Sequence, residues 1–355
     1  MIKVVVLMGG KTPEHEISLV SGREVVRHLD KKKYKVLPVV ISRDGERWQL
    51  KSAQQILLHS PAYSGVAATR LYAAGVEKTD HKKKIKSGEA LLPKGQSLPL
   101  KLTTPKPNVV FIAMHGPFGE DGTIQGMLEL AGIPYTGAGV LASSLGMNKI
   151  MFRKIMKQEK IPVPKYLVFS QGEKKTKILS IFKFPFVVKP FDQGSSVGVS
   201  IVHHKKELEP SLERAFSYSR KILVEEYLPG IEISCGVLGN EKPIALPVIE
   251  IIPKKEFFDY EAKYDETKRD EVVPAIISKK LTKQVQDLAI RVFKAIDCRG
   301  FGRVDMIISQ DKSYVLEINT IPGLTPVSLF PKEAAAADIS YPNLLDRIID
   351  LALEK

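Results

Sequence analysis

The chain has 355 residues, with 44% hydrophobic and 26% charged side chains, a composition that suits a soluble protein of two or three domains with large cores. No apolar run approaches the roughly 20 residues of a membrane-spanning helix, so no membrane association is expected. The net charge of +13 raises the question of nucleic acid. Part of that excess is local, however, in Lys78-Thr-Asp-His-Lys-Lys-Lys-Ile-Lys86, where no aromatic side chains interleave to stack bases.

The segment Met1-Ile-Lys-Val-Val-Val-Leu-Met8 runs into Gly9-Gly10 rather than into a small-residue cleavage site. It reads as the buried first strand of a cytoplasmic protein. A helical pattern follows from about Ser18 to Leu29, then a strand over Tyr34–Ile41, which opens an α/β unit. Residues 60–107 turn basic and irregular, with prolines at 61, 93, 99, 105 and 107, and read as an insertion or long, mobile loop. Val109–Met114 resumes as a strand, and helical segments are expected over Thr123–Ala131 and Asn148–Lys160. Strands are expected at Phe184–Pro190, Ile222–Tyr227, Glu232–Val237 and Ile244–Ile252, with a helix over Glu207–Ser219. Only Cys235 and Cys298 are present, far apart and without His or Cys at ligand spacing, so any metal must be held by oxygen.

The strongest chemical signal is Gly302-Arg-Val-Asp-Met-Ile-Ile-Ser309 followed by Ser313-Tyr-Val-Leu-Glu-Ile-Asn319, which predicts an antiparallel hairpin. A turn centred on Asp311 sets Asp305 opposite Glu317 and Arg303 opposite Asn319. Alternation places these four on one face and Met306, Ile308, Leu316 and Ile318 on the other. Two carboxylates with an amide oxygen form a hard ligand set that suits magnesium carrying nucleotide phosphates. The alternative is that Arg303 simply pairs with Asp305 and Glu317 on a solvated sheet.

In Lys189-Pro-Phe-Asp-Gln-Gly-Ser-Ser-Val-Gly198 a strand delivers a lysine and then a Ser pair flanked by glycines, able to turn backbone N–H groups toward phosphate. A plain surface turn explains the loop alone equally well. Glu225, Glu226 and Glu232 surround a strand, a turn and a second strand; exposed acids on sheet edges are the alternative there. Neither a P-loop nor a Gly-x-Gly-x-x-Gly dinucleotide motif is present.

These blocks, with Gly9-Gly-Lys-Thr-Pro-Glu-His-Glu-Ile-Ser18, His115-Gly-Pro-Phe-Gly-Glu-Asp-Gly-Thr-Ile-Gln-Gly126, Phe258-Asp-Tyr-Glu-Ala-Lys-Tyr264 and Leu316-Glu-Ile-Asn-Thr-Ile-Pro-Gly323, are collinear over nearly the whole chain. In that order they resemble the ATP-grasp fold and, within it, the D-alanine–D-alanine ligase family. The resemblance implies an α/β (α+β) protein of three domains. These are an N-terminal Rossmann-like domain over 1–140 carrying the 60–107 insertion, a central ATP-grasp lobe over 141–222, and a C-terminal lobe with the magnesium site over 223–355.

It also implies roles for particular residues. Lys149 and Lys189 would contact the ATP phosphates, with Ser196 and Lys263 completing the contacts. Glu225, Glu226, Tyr227 and Leu228 would line the adenine pocket, although Glu226 replaces a lysine of some relatives, and Glu232 would hold the ribose. Asp305, Glu317 and Asn319 match ligands of two magnesium ions, with manganese able to substitute. Arg303 and the N–H of Gly323 would hold the oxyanion. Glu14 would bind the first substrate's ammonium in a subsite lined by His115 and Glu120, while Ser328 and Leu329 would recognise the second substrate's carboxylate. Glu14, Ser195 and Tyr264 would form a trio fastening a loop over the site.

The implied activity joins two D-alanine molecules through an acyl phosphate, for peptidoglycan precursor synthesis, in a cytoplasmic homodimer without nucleic acid or membrane. Tyr264 favours an amine over a hydroxyl nucleophile. A D-lactate- or D-serine-using ligase is the nearest alternative. A nucleotide-binding regulator without catalysis is a second, although Arg303, Asp305, Glu317, Asn319 and Gly323 all persist. A nucleic-acid-binding role resting on the basic charge is a third.

Overall fold

Val4, Val6 and Met8 have no solvent exposure and Val5 and Leu7 almost none, because β1 (Ile2–Gly9) is covered on both faces, as an all-apolar strand requires. It runs parallel to β2 (Tyr34–Ile41) on one side and to β4 (Val109–Ile112) on the other. β3 (Trp48–Leu50) adds antiparallel at the edge, giving the order β3-β2-β1-β4. The computed structural model describes residues 1–58, 106–253 and 269–354. Nearly all of the 60–107 insertion, and Lys263 and Tyr264, lie outside those residues.

Helix α1 (His15–His28) crosses from β1 toward β2 and starts earlier than its sequence pattern predicts. Ser18, expected at the start, lies inside the helix, where its Oγ accepts from Gly9 N and donates to the Ala113 carbonyl, both at 2.8 Å. It ties the ends of β1 and β4 together. A short α2 (Ala53–Leu58) follows β3, and α3 (Thr123–Leu130) follows β4. Helix α4 (Val140–Met147), without a counterpart in the sequence reading, leads into α5 (Lys149–Gln158), whose first turn is capped by Asn148 accepting from Met151 N.

The central sheet is antiparallel, in the order β5-β8-β6-β7. Its strands are β5 (Tyr166–Ser170), β6 (Phe186–Pro190), β7 (Ser200–Val202) and β8 (Lys221–Glu226). Helices α6 (Thr176–Ile181) and α7 (Lys205–Phe216) accompany it, Ile178, Leu208 and Leu212 joining its core. Because β8 pairs along its length with β5 and β6, the central sheet runs to Glu226, past the expected division at residue 222.

The third sheet has the order β12-β11-β9-β13-β14, with β10 on β9. Its strands are β9 (Ile231–Leu238), β10 (Ile244–Ala245), β11 (Ile249–Pro253), β12 (Arg269–Val272), β13 (Phe301–Ser309) and β14 (Lys312–Asn319). The single strand expected over Ile244–Ile252 is two, since Pro247 between them has no N–H for a ladder. Helix α8 (Lys279–Ala295), capped by Ser278, packs Val285, Ala289, Val292 and Phe293 on Ile233, Cys235, Val237, Val304 and Met306. That leaves the alternate residues of β9 and β13 for the other face. Helix α9 (Leu329–Ala335) lies against Gly236 on that face. Helix α10 (Tyr341–Leu353) returns to the first domain, burying Leu344, Leu345, Ile348 and Ile349 in its core, while Lys33 pairs with Asp346 at 2.5 Å. No helix among the described residues is long and apolar enough to cross a membrane.

The hairpin expectation is met where it matters and corrected in how. Arg303 faces Asn319, Val304 faces Ile318 and Asp305 faces Glu317, but from Met306↔Val315 to Ser309↔Lys312 the pairing is shifted by one residue. The turn is the two-residue Gln310-Asp311, both with positive φ (49° and 58°), and a β-bulge at Leu316 restores the register. Val315, not Leu316, therefore takes the core position. Without the bulge this turn would put Glu317 and Asn319 on the core face. Two L residues in left-handed conformation cost on the order of 1 kcal/mol each. Replacing Gln310-Asp311 by Asn-Gly should raise stability by about 1 kcal/mol, seen as a higher urea midpoint; a lower midpoint would contradict this turn.

Candidate active site

The carboxyl ends of β1 and β4 open toward the other two sheets, where ligands of open α/β sheets bind. Glu14 follows β1 and is buried; its Oε1 accepts from Ser195 Oγ of the central lobe. Its Oε2 lies so close to Gly116 that a Cβ there would stand 2.3 Å away. Gly116, with φ +71°, is thus glycine for both space and backbone conformation. The expected Glu14–Ser195 contact is present, and Tyr264 lies outside the described residues. Ser195 and Ser196 both have positive φ (48° and 58°), a strained turn that folds the loop toward Glu14.

His115, after β4, sits between Ser21 Oγ at 2.8 Å and the Ile321 carbonyl at 3.1 Å. Glu120 accepts from Gly116 N and stands 4.0 Å from the imidazole, a charge pair rather than a direct hydrogen bond. Burial disfavours the imidazolium, but Glu120, then Glu14 and the Ile321 carbonyl outweigh it and raise His115 above its ordinary value. Burial, reinforced by Glu14, pushes the Glu120 carboxyl up.

Lys149 begins α5. Its Nζ donates to the Gln193 carbonyl at 2.9 Å and pairs with Glu317 at 3.0 Å, bridging the Ser loop and the third sheet. Lys189 on β6 pairs with Glu225 at 2.5 Å, and Arg153, one turn beyond Lys149, donates from Nε to Glu225 at 2.7 Å. Burial lowers Lys189; burial also opposes ionised Glu225, yet Arg153 and Lys189 hold its carboxyl below the usual range. Glu225, expected to line the adenine pocket, has its carboxylate buried and committed to two cations, which leaves its backbone as the part able to face a ligand. Glu226 is likewise turned back, accepting from Lys165 N at 2.6 Å. Tyr227, Leu228 and Glu232 are partly exposed beside them.

On the open face of the third sheet, Arg303 forks Asp305 through Nε and Nη2, both at 2.9 Å. Ser234 Oγ donates to Asp305 at 2.7 Å and Asn319 Nδ2 at 2.9 Å. The Arg303–Asp305 half of the alternative ion-pair reading is therefore present. Glu317 is balanced by Lys149. Among the described residues no three His, Cys, Asp or Glu side chains are grouped to hold a metal. Two carboxylates held by neighbouring donors, with an amide that donates to one of them, fit a hard cation that arrives with its own oxygen ligands rather than a resident ion. Glu120, Met147, Lys149, Gly194, Glu317 and Asn319 line one cleft.

Gly323 packs on Ser328, where a Cβ would approach Oγ to 3.0 Å, and Ser328 shares a 2.7 Å hydrogen bond with Thr325. Leu329 buries its side chain on Ile249 and Ile251, so any substrate contact must come from its backbone. Sequence reasoning missed Ser234, Arg153 and Glu333. Ser234 is in phase with Glu232 on β9, and Arg153 falls one turn from Lys149, so periodicity carried both. Glu333, whose carboxyl burial pushes well upward against the opposing charge of Arg303, reaches the face only through the tertiary path of α9.

Two antiparallel sheets gripping a cleft, behind a parallel α/β domain, make this an ATP-grasp protein. Residues 3–138 match the family model described as D-ala D-ala ligase N-terminus, and residues 155–350 that described as D-ala D-ala ligase C-terminus. A D-alanine–D-alanine ligase of Acetivibrio thermocellus is 40% identical, covering 99% of this chain and 96% of its own. Among solved structures, the D-alanine–D-alanine ligase of Bacillus anthracis complexed with ATP superposes with TM-score 0.74 at 30% identity, covering 99% of this chain and 98% of that one. The VanG D-Ala:D-Ser ligase of Enterococcus faecalis gives 0.78 at 31%, covering 99% of both. The chain belongs to the D-alanine–D-alanine ligase family.

Removing one member of a buried charge cluster leaves the others uncompensated. Glu225→Leu strands Arg153 and Lys189, and urea unfolding should show a loss of about 3–5 kcal/mol. A loss under about 1 kcal/mol would mean that the cluster does not brace α5 against the central sheet.

Proposed function

We propose that the protein joins two D-alanine molecules to D-alanyl-D-alanine, converting ATP to ADP and phosphate, in the cytoplasmic supply of peptidoglycan precursors. The observation that carries the reading is the cleft in which Lys149 couples the Ser195–Ser196 loop to Glu317 beside Asp305 and Asn319. A cation from α5 and hard oxygen ligands from the third sheet converge there beside the Ser loop of the central sheet, as phosphoryl transfer demands.

The first D-alanine binds with its ammonium on Glu14, whose charge is buffered by Ser195 and by the His115–Glu120 pair. Its carboxylate oxygen attacks the γ-phosphorus of ATP; the bond to the β-phosphate oxygen breaks, giving ADP and an acyl phosphate. Lys149 and Lys189 offset the phosphate charge, with Ser196 in the same loop. Asp305, Glu317 and Asn319 would hold magnesium, which when bound neutralises the phosphates and orients them. The amine of the second D-alanine, placed by Ser328 and the backbone at Leu329, then attacks the carbonyl. Arg303 and Gly323 N–H receive the charge of the tetrahedral intermediate, and phosphate departs with the C–O bonding pair. Tyr227, Leu228 and Glu232 surround the nucleoside. Lys263 and Tyr264, present in the sequence, favour an amine nucleophile. A homodimer completes the reading.

Because the likeness to the D-Ala:D-Ser ligase is as close as that to the other solved ligases, the second substrate is the point to test. Phosphate release from ATP with D-alanine, D-serine, D-lactate and L-alanine in parallel should favour D-alanine about 10-fold or more in kcat/KM. Equal rates with D-serine or D-lactate would displace the assignment, and L-alanine turnover would overturn it.

A further inference from the structure

Glu333 is fully buried, and neither carboxyl oxygen makes a hydrogen bond of ordinary geometry; against that burial, the charge of Arg303 and the backbone N–H of Gly236 are what favour its ionised form. A glutamate is almost never buried in this way without a partner, so its surroundings bear on what it does. Its Oε2 lies over Gly236, where an added Cβ would stand only 2.6 Å away. Gly236 is the cross-strand neighbour of Arg303, and Ser234, two residues along on the same face, is that of Asp305. The absence of a side chain at residue 236 therefore admits this carboxyl to the place beside the Arg303–Asp305 fork.

That fork has to yield. Asp305 accepts from Arg303 Nε and Nη2, Ser234 Oγ and Asn319 Nδ2, which fills the roughly four acceptor sites of a carboxylate. It can turn an oxygen to a cation arriving with nucleotide only by giving up donors, and the guanidinium supplies two of the four. Once released, Arg303 still needs a carboxylate on this buried face, and Glu317 is already engaged with Lys149.

We propose that Glu333 is a positioning residue that receives the Arg303 guanidinium when Asp305 turns toward the nucleotide, holding it aimed at the reacting carbonyl. The inference rests on the reading of Arg303 as oxyanion holder and Asp305 as ligand given above.

The test uses the whole chain with Glu333→Gln, Glu333→Leu, Arg303→Ala and the Arg303→Ala/Glu333→Gln double variant. Both Glu333 variants should lower kcat about 10- to 100-fold, the range for groups that orient a functional side chain, with KM for ATP and D-alanine changed less than about twofold. The thermal midpoint of the ligand-free protein should hold or rise, because an unpartnered buried carboxyl has gone. In the Arg303→Ala background, Glu333→Gln should cost no further activity, the signature of residues acting as a unit. Should Glu333→Leu disturb folding, the Gln variant, which keeps the volume, decides alone. Wild-type kcat in Glu333→Gln, or full additivity with Arg303→Ala, would overturn the proposal. Wild-type kcat in Arg303→Ala would instead overturn the assignment of Arg303 itself.

Discussion

The site depends on one extra residue in one strand. The tight Gln310-Asp311 turn sets a register that would pair Asp305 with Leu316 and bury Glu317 and Asn319 against α8. The bulge at Leu316 moves the strand on by one residue, and every side chain beyond it changes face. Arg303, Asp305, Glu317 and Asn319 thereby share the face that looks into the cleft. The bulge is anchored from outside the hairpin, since the Leu316 carbonyl accepts from Arg153 Nη2 at 2.7 Å.

Through Arg153 the same constraint reaches the other sheets. Its Nε on Glu225 and Nη2 on Leu316 tie β8 of the central sheet to β14 of the third, and Lys189 shares Glu225. Lys149, on the same helix face, repeats the connection one turn earlier through the Gln193 carbonyl and Glu317. Helix α5 is therefore the spacer between the lobes, its Lys149 and Arg153 serving carboxylates on both. Such pairs are costly to bury. What they contribute is geometry: Lys149 and Lys189 held at a set distance from the carboxylate face of the hairpin. Glu14, on Ser195, adds the first domain to the same arrangement.

Much of this is legible in the chain before any coordinates, for reasons that differ by residue. β1, β2 and the hairpin strands are recognisable because period and apolar content agree. The Asp305–Glu317 pairing follows from a turn centre on Asp311 that does not occur: a shorter turn and a bulge reach the same pairing. Alternation specifies which residues want a common face, not how the backbone brings them there. Helix α8 goes unread although its apolar spacing is regular, and α4 because Gly139 and Asn148 bound a short apolar stretch that reads equally as loop. Ser18 shows a polar residue chosen for two backbone groups outside its helix, at Gly9 and Ala113, which mimics a helix start. At Glu225 and Glu226 the strand is placed as expected, while the partners of their carboxylates, Arg153, Lys189 and the Lys165 N–H, come from other elements and are not contained in the motif. Family likeness supplies the substrates, which no spacing rule contains.

The central claim is that the hairpin face handles nucleotide phosphate through Glu317, whose charge Lys149 balances in the resting protein. The direct measurement is ATP-dependent phosphate release with saturating D-alanine in Glu317→Gln, a change that keeps size and removes charge. The account predicts turnover reduced at least about 100-fold, the scale on which losing one electrostatic group at a reacting centre is felt, with folding intact by circular dichroism. Near-native turnover in that variant would contradict it.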